Sequence, residues 1–146
     1  MKYKIYLDNC CYNRPYDDQS QLIVKLETEA KLQIQKAALN GELALIWSFI
    51  LHYENNDNPY DDRKIQIAKW EEVAKVKVAY ADPILEKSKS LMQMGIRQKD
   101  ALHIACAIEA DADYFITTDK KLINKPVREV EIINPLDFLR RCLDED

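Results

Sequence analysis

Glycine is scarce in this chain: Gly41 and Gly95 are the only two in 146 residues. A phosphate-cradling loop or a dinucleotide fingerprint needs two or three glycines close together. Nucleotide-cofactor chemistry of those kinds is therefore excluded. Histidine is equally short, with two. The four cysteines, Cys10, Cys11, Cys106 and Cys142, form no CxxC pair and no cysteine–histidine ligand spacing. They read as free buried thiols.

Long apolar runs are missing too. The longest, Leu43 to Leu51, is interrupted by Ser48, whereas a membrane span needs about 20 apolar residues. The opening MKYKIYLDNCC is broken by Lys4 and Asp8, unlike a secretion signal. A cytoplasmic protein without a membrane anchor is expected. Excess positive charge is absent, since the net charge is -4. That argues against a broad electrostatic grip on nucleic acid. It leaves room for a nucleic-acid enzyme in which metal ions supply positive charge locally.

What is present is enough for one core: 47% of residues are hydrophobic and 32% charged, in a length that suits a single domain over residues 1–146. Disorder is expected only at the acidic end, Leu143 to Asp146. Strand and helix signals alternate along the chain. Tyr3 to Leu7 reads as a strand ending at Asp8, followed by a polar turn from Asn9 to Asp18. A helix runs from about Ser20 to Leu39, with Leu22, Leu26, Ala30, Ile34 and Ala37 or Ala38 on its apolar face. Asn40-Gly41 stops it. Leu43 to Trp47 is a strand, and Ser48 caps a helix from Phe49 to about Asn55.

A further helix spans about Asp61 to Val73, and Lys75 to Tyr80 is a short strand. Asp82-Pro83 opens a helix with Asp82 as cap, and Gly95 ends it. Arg97 to Ala110 is helical, with Ile104, Ala107 and Ile108 on its apolar face. Tyr114 to Thr117 and Glu129 to Ile133 complete the strands, and Asn134-Pro135 opens a last helix to about Cys142. Such alternation predicts an α/β fold with a mostly parallel sheet of about five strands and helices on both faces. In such sheets ligands bind beyond the carboxyl ends of the strands, where the strand order reverses.

Two strands lead into aspartates there, Asp8 after the first and Asp119 after the fourth. Asp100 lies in the first turn of the helix that feeds the fourth strand, so a right-handed crossover brings it to the same edge. Glu54, six residues after Ser48, is the fourth candidate. Crowded carboxylates repel one another, and a divalent cation among them offsets that repulsion. Mg2+ and Mn2+ prefer such oxygen ligands and also bind substrate phosphates. One or two such ions can activate water and polarise a phosphodiester. Three of the acids also have a plainer reading. Asp119 suits a helix cap, Asp100 a favourable charge at a helix start, and Glu54 a solvated helix position.

These residues carry a resemblance. The chain resembles PIN-domain proteins, the fold of VapC-type toxin ribonucleases, over nearly its whole length. The match rests on Tyr6-Leu7-Asp8-Asn9, on Ser48 followed by Glu54, on Lys99-Asp100-Ala101-Leu102-His103-Ile104-Ala105, and on Phe115-Ile116-Thr117-Thr118-Asp119. It implies a three-layer sandwich and Mg2+- or Mn2+-dependent cleavage of single-stranded RNA, with Asp8, Glu54, Asp100 and Asp119 as the acidic site. It further implies a supporting hydroxyl at Thr117 or Thr118, an antitoxin protein as partner, and a homodimer. Lys121 stands where many members of that family carry another acid, so one strong metal site is expected rather than two.

Other residues are open to two readings. His103 shares a helix face with Asp100 and reads as a half-buried structural histidine, as does His52. Arg14, Lys99, Lys120, Lys121 and Lys125 suit either a phosphate path or a solvated surface. Tyr12 and Tyr16 could stack on bases, while Trp47 and Trp70 read as core. Cys10 and Cys11 pack under the loop after Asp8. An Asp-x-Asp phosphatase would need an acid at Cys10, which disfavours phosphoryl-transfer chemistry. The remaining rival is a non-catalytic module that binds RNA or a protein partner.

Overall fold

The computed structural model describes residues 2–143. Of the acidic end expected to be disordered, residues 144–146 lie outside that range, while Leu143 closes the last turn.

Five strands form one parallel sheet in the order β3-β2-β1-β4-β5, namely β1 (Tyr3–Leu7), β2 (Leu43–Ser48), β3 (Val76–Val78), β4 (Tyr114–Ile116) and β5 (Glu131–Ile133). The helices are α1 (Asn9–Asn13), α2 (Leu22–Leu39), α3 (Phe49–Asn56), α4 (Asp61–Ala68) and α5 (Trp70–Val73), then α6 (Asp82–Met92), α7 (Gln98–Glu109), α8 (Lys120–Ile123) and α9 (Pro135–Phe138). None of the described helices is long and apolar enough to cross a membrane.

The middle strand, β1, is covered on both faces: Ile5, Tyr6 and Leu7 are each 0% exposed. A central parallel strand is buried this way because crossover helices lie over both faces of the sheet. The register sets Tyr6 beside Ile46 on one side and beside Phe115 on the other. From β1 the chain steps outward through β2 to β3. It then crosses back through α6 and α7 to β4 on the opposite side of β1. The order therefore reverses between β1 and β4, the place where such sheets hold their ligands.

Several sequence expectations need correcting. The segment after Asp8 is not a polar turn. It forms α1 and a 3-10 turn, Arg14–Tyr16. This cover changes which face of α2 is buried. Val24, Ala30, Ile34, Ala37 and Ala38 are inside, together with Glu27, Thr28, Lys31 and Gln35. Leu22 and Leu26 are 71% and 41% exposed. Two of these polar residues, Glu27 and Thr28, meet partners there. Arg14 pairs with Glu27 at 3.3 Å, and the Thr28 hydroxyl donates to the Arg14 carbonyl at 3.3 Å.

The helix expected over Asp61 to Val73 breaks at Lys69 into α4 and α5. Ala81, not Asp82, is the N-cap of α6. Asp82 lies in the first turn and makes no capping bond, so its charge acts on the helix terminus instead. Ser48, Asp119 and Asn134 do cap their helices, each accepting from a backbone amide.

Candidate functional site

Asp8 leaves the end of β1 as the N-cap of α1 and is 5% exposed. A carboxylate that deep needs partners, and it has them. Its Oδ1 accepts from the Asn9 amide at 2.8 Å, and its Oδ2 accepts from the Thr117 hydroxyl at 2.8 Å. The Cys10 thiol also donates to Oδ2 at 3.6 Å. Thr117, just past β4, is fully buried and in turn accepts from the Asp119 amide at 3.1 Å. One hydroxyl thus ties the ends of β1 and β4 together. Of the two threonines considered, Thr117 makes this link, whereas Thr118 offers its backbone amide to the Cys10 sulfur at 3.4 Å.

Asp119 caps α8 by accepting from the Lys121 amide at 2.9 Å, so its capping role is real. Asp100, half-buried in the first turn of α7, carries the clearest electrostatic sign. Burial pushes its carboxyl above the ordinary value, the charges of Asp8 and Asp119 push it further, and Glu54 adds to this, while His103 opposes. A helix N-terminus favours negative charge, yet here burial and like charge win. Three acids from separate segments therefore act on Asp100 through space.

Glu54 is held from behind. The Ser48 hydroxyl and the Tyr6 hydroxyl lie 2.6 Å apart, and the Tyr6 hydroxyl lies 2.6 Å from His103 Nδ1. His103 Nε2 hydrogen-bonds Glu54 Oε1. Burial holds the Tyr6 phenol well above its ordinary range, so it keeps its hydrogen. With Glu54 as a carboxylate, one consistent arrangement fills every position. Nε2–H donates to Glu54, Nδ1 accepts from Tyr6, and Tyr6 accepts from Ser48. Ser48 also takes the Leu51 amide at 3.2 Å as the cap of α3. His103 is therefore not half-buried but 1% exposed. It links the sheet to Glu54. His52, by contrast, is exposed and 3.8 Å from Glu71.

Beside the acids lies a cleft of about 400 Å3. Asp100 and Asp119 line one part of it, Arg97, Lys121 and Lys125 another, and the buried Ile96 and Leu122 contribute apolar surface. Of the five cations considered from sequence, Lys121 and Lys125 are here, with Lys125 also donating to the Met94 carbonyl at 3.2 Å. Arg14 is engaged with Asp17 and Glu27, and neither Lys99 nor Lys120 lines the cleft. Glu54 lines a separate opening of about 230 Å3 with Asn9, Asn58 and Arg63.

Tyr12 is 0% exposed and cannot stack on a base. Tyr16 is exposed at 40%, with the Arg63 guanidinium 5.1 Å from its ring centre. Trp47 is core as expected, while Trp70 is half-buried. All four cysteines are free; Cys11 and Cys106 are buried, and Cys10 and Cys142 half-buried.

Sequence reasoning missed Tyr6 and Arg97. The signal for Tyr6 was legible, because a tyrosine inside a wholly buried strand must find a partner for its hydroxyl. Arg97 carried no such signal. Its place on the cleft depends on how α7 meets α8.

The donors suit a hard cation in kind, since they are oxygen ligands whose mutual repulsion a positive ion relieves. Among the described residues, no three His, Cys, Asp or Glu side chains are close enough together to form a ready-made metal site. The arrangement thus suits an ion that uses one or two carboxylates and keeps several waters, as Mg2+ does.

No family model matches the chain, and no curated protein sequence matches it. Solved structures do. VapBC2 from Rickettsia felis, bound to a DNA fragment from its promoter, matches with a TM-score of 0.55 at 14% identity, over 90% of this chain and 98% of that one. FitAcB from Neisseria gonorrhoeae matches with a TM-score of 0.59 at 14% identity, over 90% and 97%. At that identity the likeness speaks for the fold: this chain has the PIN-type α/β sandwich that its sequence motifs resemble.

Proposed function

We propose that this chain is a metal-dependent ribonuclease that cleaves single-stranded RNA at the site formed by Asp8, Glu54, Asp100 and Asp119. The observation that carries the reading is that the Thr117 hydroxyl ties Asp8 to the Asp119 backbone at neighbouring strand ends, with Asp100 beside Asp119 on one cleft; burial and these neighbouring charges push the Asp100 carboxyl up. Carboxylates gathered at a strand-order reversal are unfavourable alone and favourable around a cation.

Bound Mg2+ or Mn2+ would supply Lewis acidity toward the phosphodiester and a more acidic water. The chain's own residues do the rest. Asp8, fixed by Thr117 and the Asn9 amide, holds its carboxylate in one orientation. Asp119 is fixed likewise by the Lys121 amide. His103 orients Glu54 through a bond that itself depends on Tyr6. Arg97 and Lys121, on the cleft beside Asp100 and Asp119, attract the backbone phosphates of a strand whose bases need not pair. No histidine or cysteine nucleophile is required.

The neighbours with this fold are complexes, one of them bound to DNA. On that basis we extend the proposal to a toxin held in check by an antitoxin protein; that it acts as a homodimer is proposed from the sequence resemblance alone. Growth arrest on expression, relieved by a co-expressed partner, tests the first part. Sedimentation tests the second.

The enzymatic claim is tested with end-labelled single-stranded RNA. Cleavage is expected in Mn2+, none in EDTA, and at least about a 100-fold loss in Asp119→Asn, since even residues behind a metal ligand commonly cost 10–100-fold. Equal behaviour of wild type and variant would favour a non-catalytic module.

A further inference from the structure

Away from the acids, a second cleft of about 270 Å3 opens where α1 and the 3-10 turn meet α2, α4 and α5. Tyr12, Lys31 and Gln35 line it, with Tyr16, Leu32 and Trp70 among its walls. The three polar residues are almost wholly inside: Tyr12 is 0% exposed, Lys31 5% and Gln35 4%. Each brings hydrogen-bond donors. The Tyr12 hydroxyl and Gln35 Nε2 are buried without any partner. The Lys31 ammonium lies 5.9 Å from the centre of the Tyr12 ring. Burial pushes its ionisation down to about 8.

Buried polar groups in folded proteins are nearly always paired, and an unpaired set calls for an occupant. Here both unpaired atoms can donate, and the Lys31 cation lines the same cleft. A ligand that satisfies them offers acceptors and a negative charge. Water alone satisfies the neutral donors but leaves the charge uncompensated. The walls narrow the class further. Trp70 and Leu32 favour an apolar portion next to the anion. The volume lies just below the usual range for drug-sized pockets, which suits one acidic side chain or a small aromatic acid rather than a nucleotide.

We propose that this cleft binds a carboxylate-bearing ligand, with its oxygens on Lys31, Tyr12 and Gln35 and its apolar part against Trp70 and Leu32. The carboxylate can come from a free organic acid or from an acidic side chain of a peptide. The inference does not depend on the nuclease reading, because none of these residues belongs to the acidic site.

The test is a titration of the intact chain, followed by tryptophan fluorescence, with benzoate and with a blocked peptide containing one glutamate. Benzamide, the glutamine form of the peptide and inorganic phosphate serve as comparisons. A saturable change with a carboxylate and not with its amide is expected. Saturation by benzoate alone identifies a free acid, and tighter saturation by the glutamate peptide identifies a side chain. Lys31→Met, which keeps the length and loses the charge, is expected to weaken binding about tenfold or more. Tyr12→Phe is expected to leave the melting temperature of the free protein unchanged, since its hydroxyl has no partner to lose, and to weaken binding several-fold. Should Lys31→Met not fold, Tyr12→Phe decides alone. No saturable change, an equal response to the amides, tighter binding of phosphate, or unaltered affinity in the folded variants would each overturn the proposal.

Discussion

Tyr6 occupies the middle of the central strand, yet it carries a hydroxyl into the core. That hydroxyl meets Ser48 and His103 at 2.6 Å each. Tyr6→Phe keeps the ring, which stacks on Phe115 at 5.2 Å, and removes only the oxygen. His103 Nδ1 and the Ser48 hydroxyl then lose a partner in a dry environment. Unfolding in urea is expected to show a loss of roughly 1–3 kcal/mol. Unchanged stability would mean that the chain behind Glu54 does not hold as described.

Asp100 makes the opposite case, a charge the fold would be more stable without. Its folded carboxyl ionises at higher pH than in the unfolded chain. At low pH both states are protonated and no penalty exists. As pH rises, the unfolded chain releases its proton first, so stability falls until the folded carboxyl has ionised too. Metal-free Asp100→Asn is therefore expected to melt at a higher temperature than wild type at neutral pH, with the gap closing in acid. A lower melting temperature for the variant at neutral pH would show that the surrounding acids do not press on Asp100.

At the level of elements, several boundaries set by a local rule were legible, although Asp82-Pro83 misplaced the cap of α6 by one residue. Gly41 ends α2 at φ +80, a conformation that costs other residues about 1–2 kcal/mol. A Cβ there meets no atom within 4 Å, so Gly41→Ala tests the backbone alone. A loss of about 1 kcal/mol in thermal or urea unfolding is expected, and none would argue against the left-handed turn. The caps at Ser48, Asp119 and Asn134 were readable for the same reason. The inner face of α2 was not. Its helical period allows more than one stripe, and the choice depends on α1 and the 3-10 turn, which place Arg14 over Glu27. A polar residue reads as solvent-facing until the segment that covers it is known. That is also why Lys31 and Gln35 escaped notice, why Tyr12 was read as a residue that could stack on bases, and why His103 was read as half-buried.

On the scale of the whole molecule, strand order does most of the positioning. The parallel sheet followed from the alternation of strands and helices, and the reversal between β1 and β4 puts the ends leading to Asp8 and Asp119 side by side, joined by Thr117. Asp8, Asp100 and Asp119 could be named as candidates because each stands at the start or end of an element, where topology alone assigns an edge, whereas Glu54 rested on its spacing from Ser48 and on the resemblance. The cations of the cleft were less legible. Lys121 lies two residues after Asp119, whereas Arg97 reaches the cleft from the start of α7.

The account stands on those acids sharing a cation. Crystals soaked in Mn2+ test this most directly, through the anomalous signal of the ion. One strong peak is expected within about 2.5 Å of a carboxylate oxygen of Asp8 or Asp119, and it should vanish in Asp8→Asn. A peak elsewhere on the molecule, or none at these acids, would contradict the account.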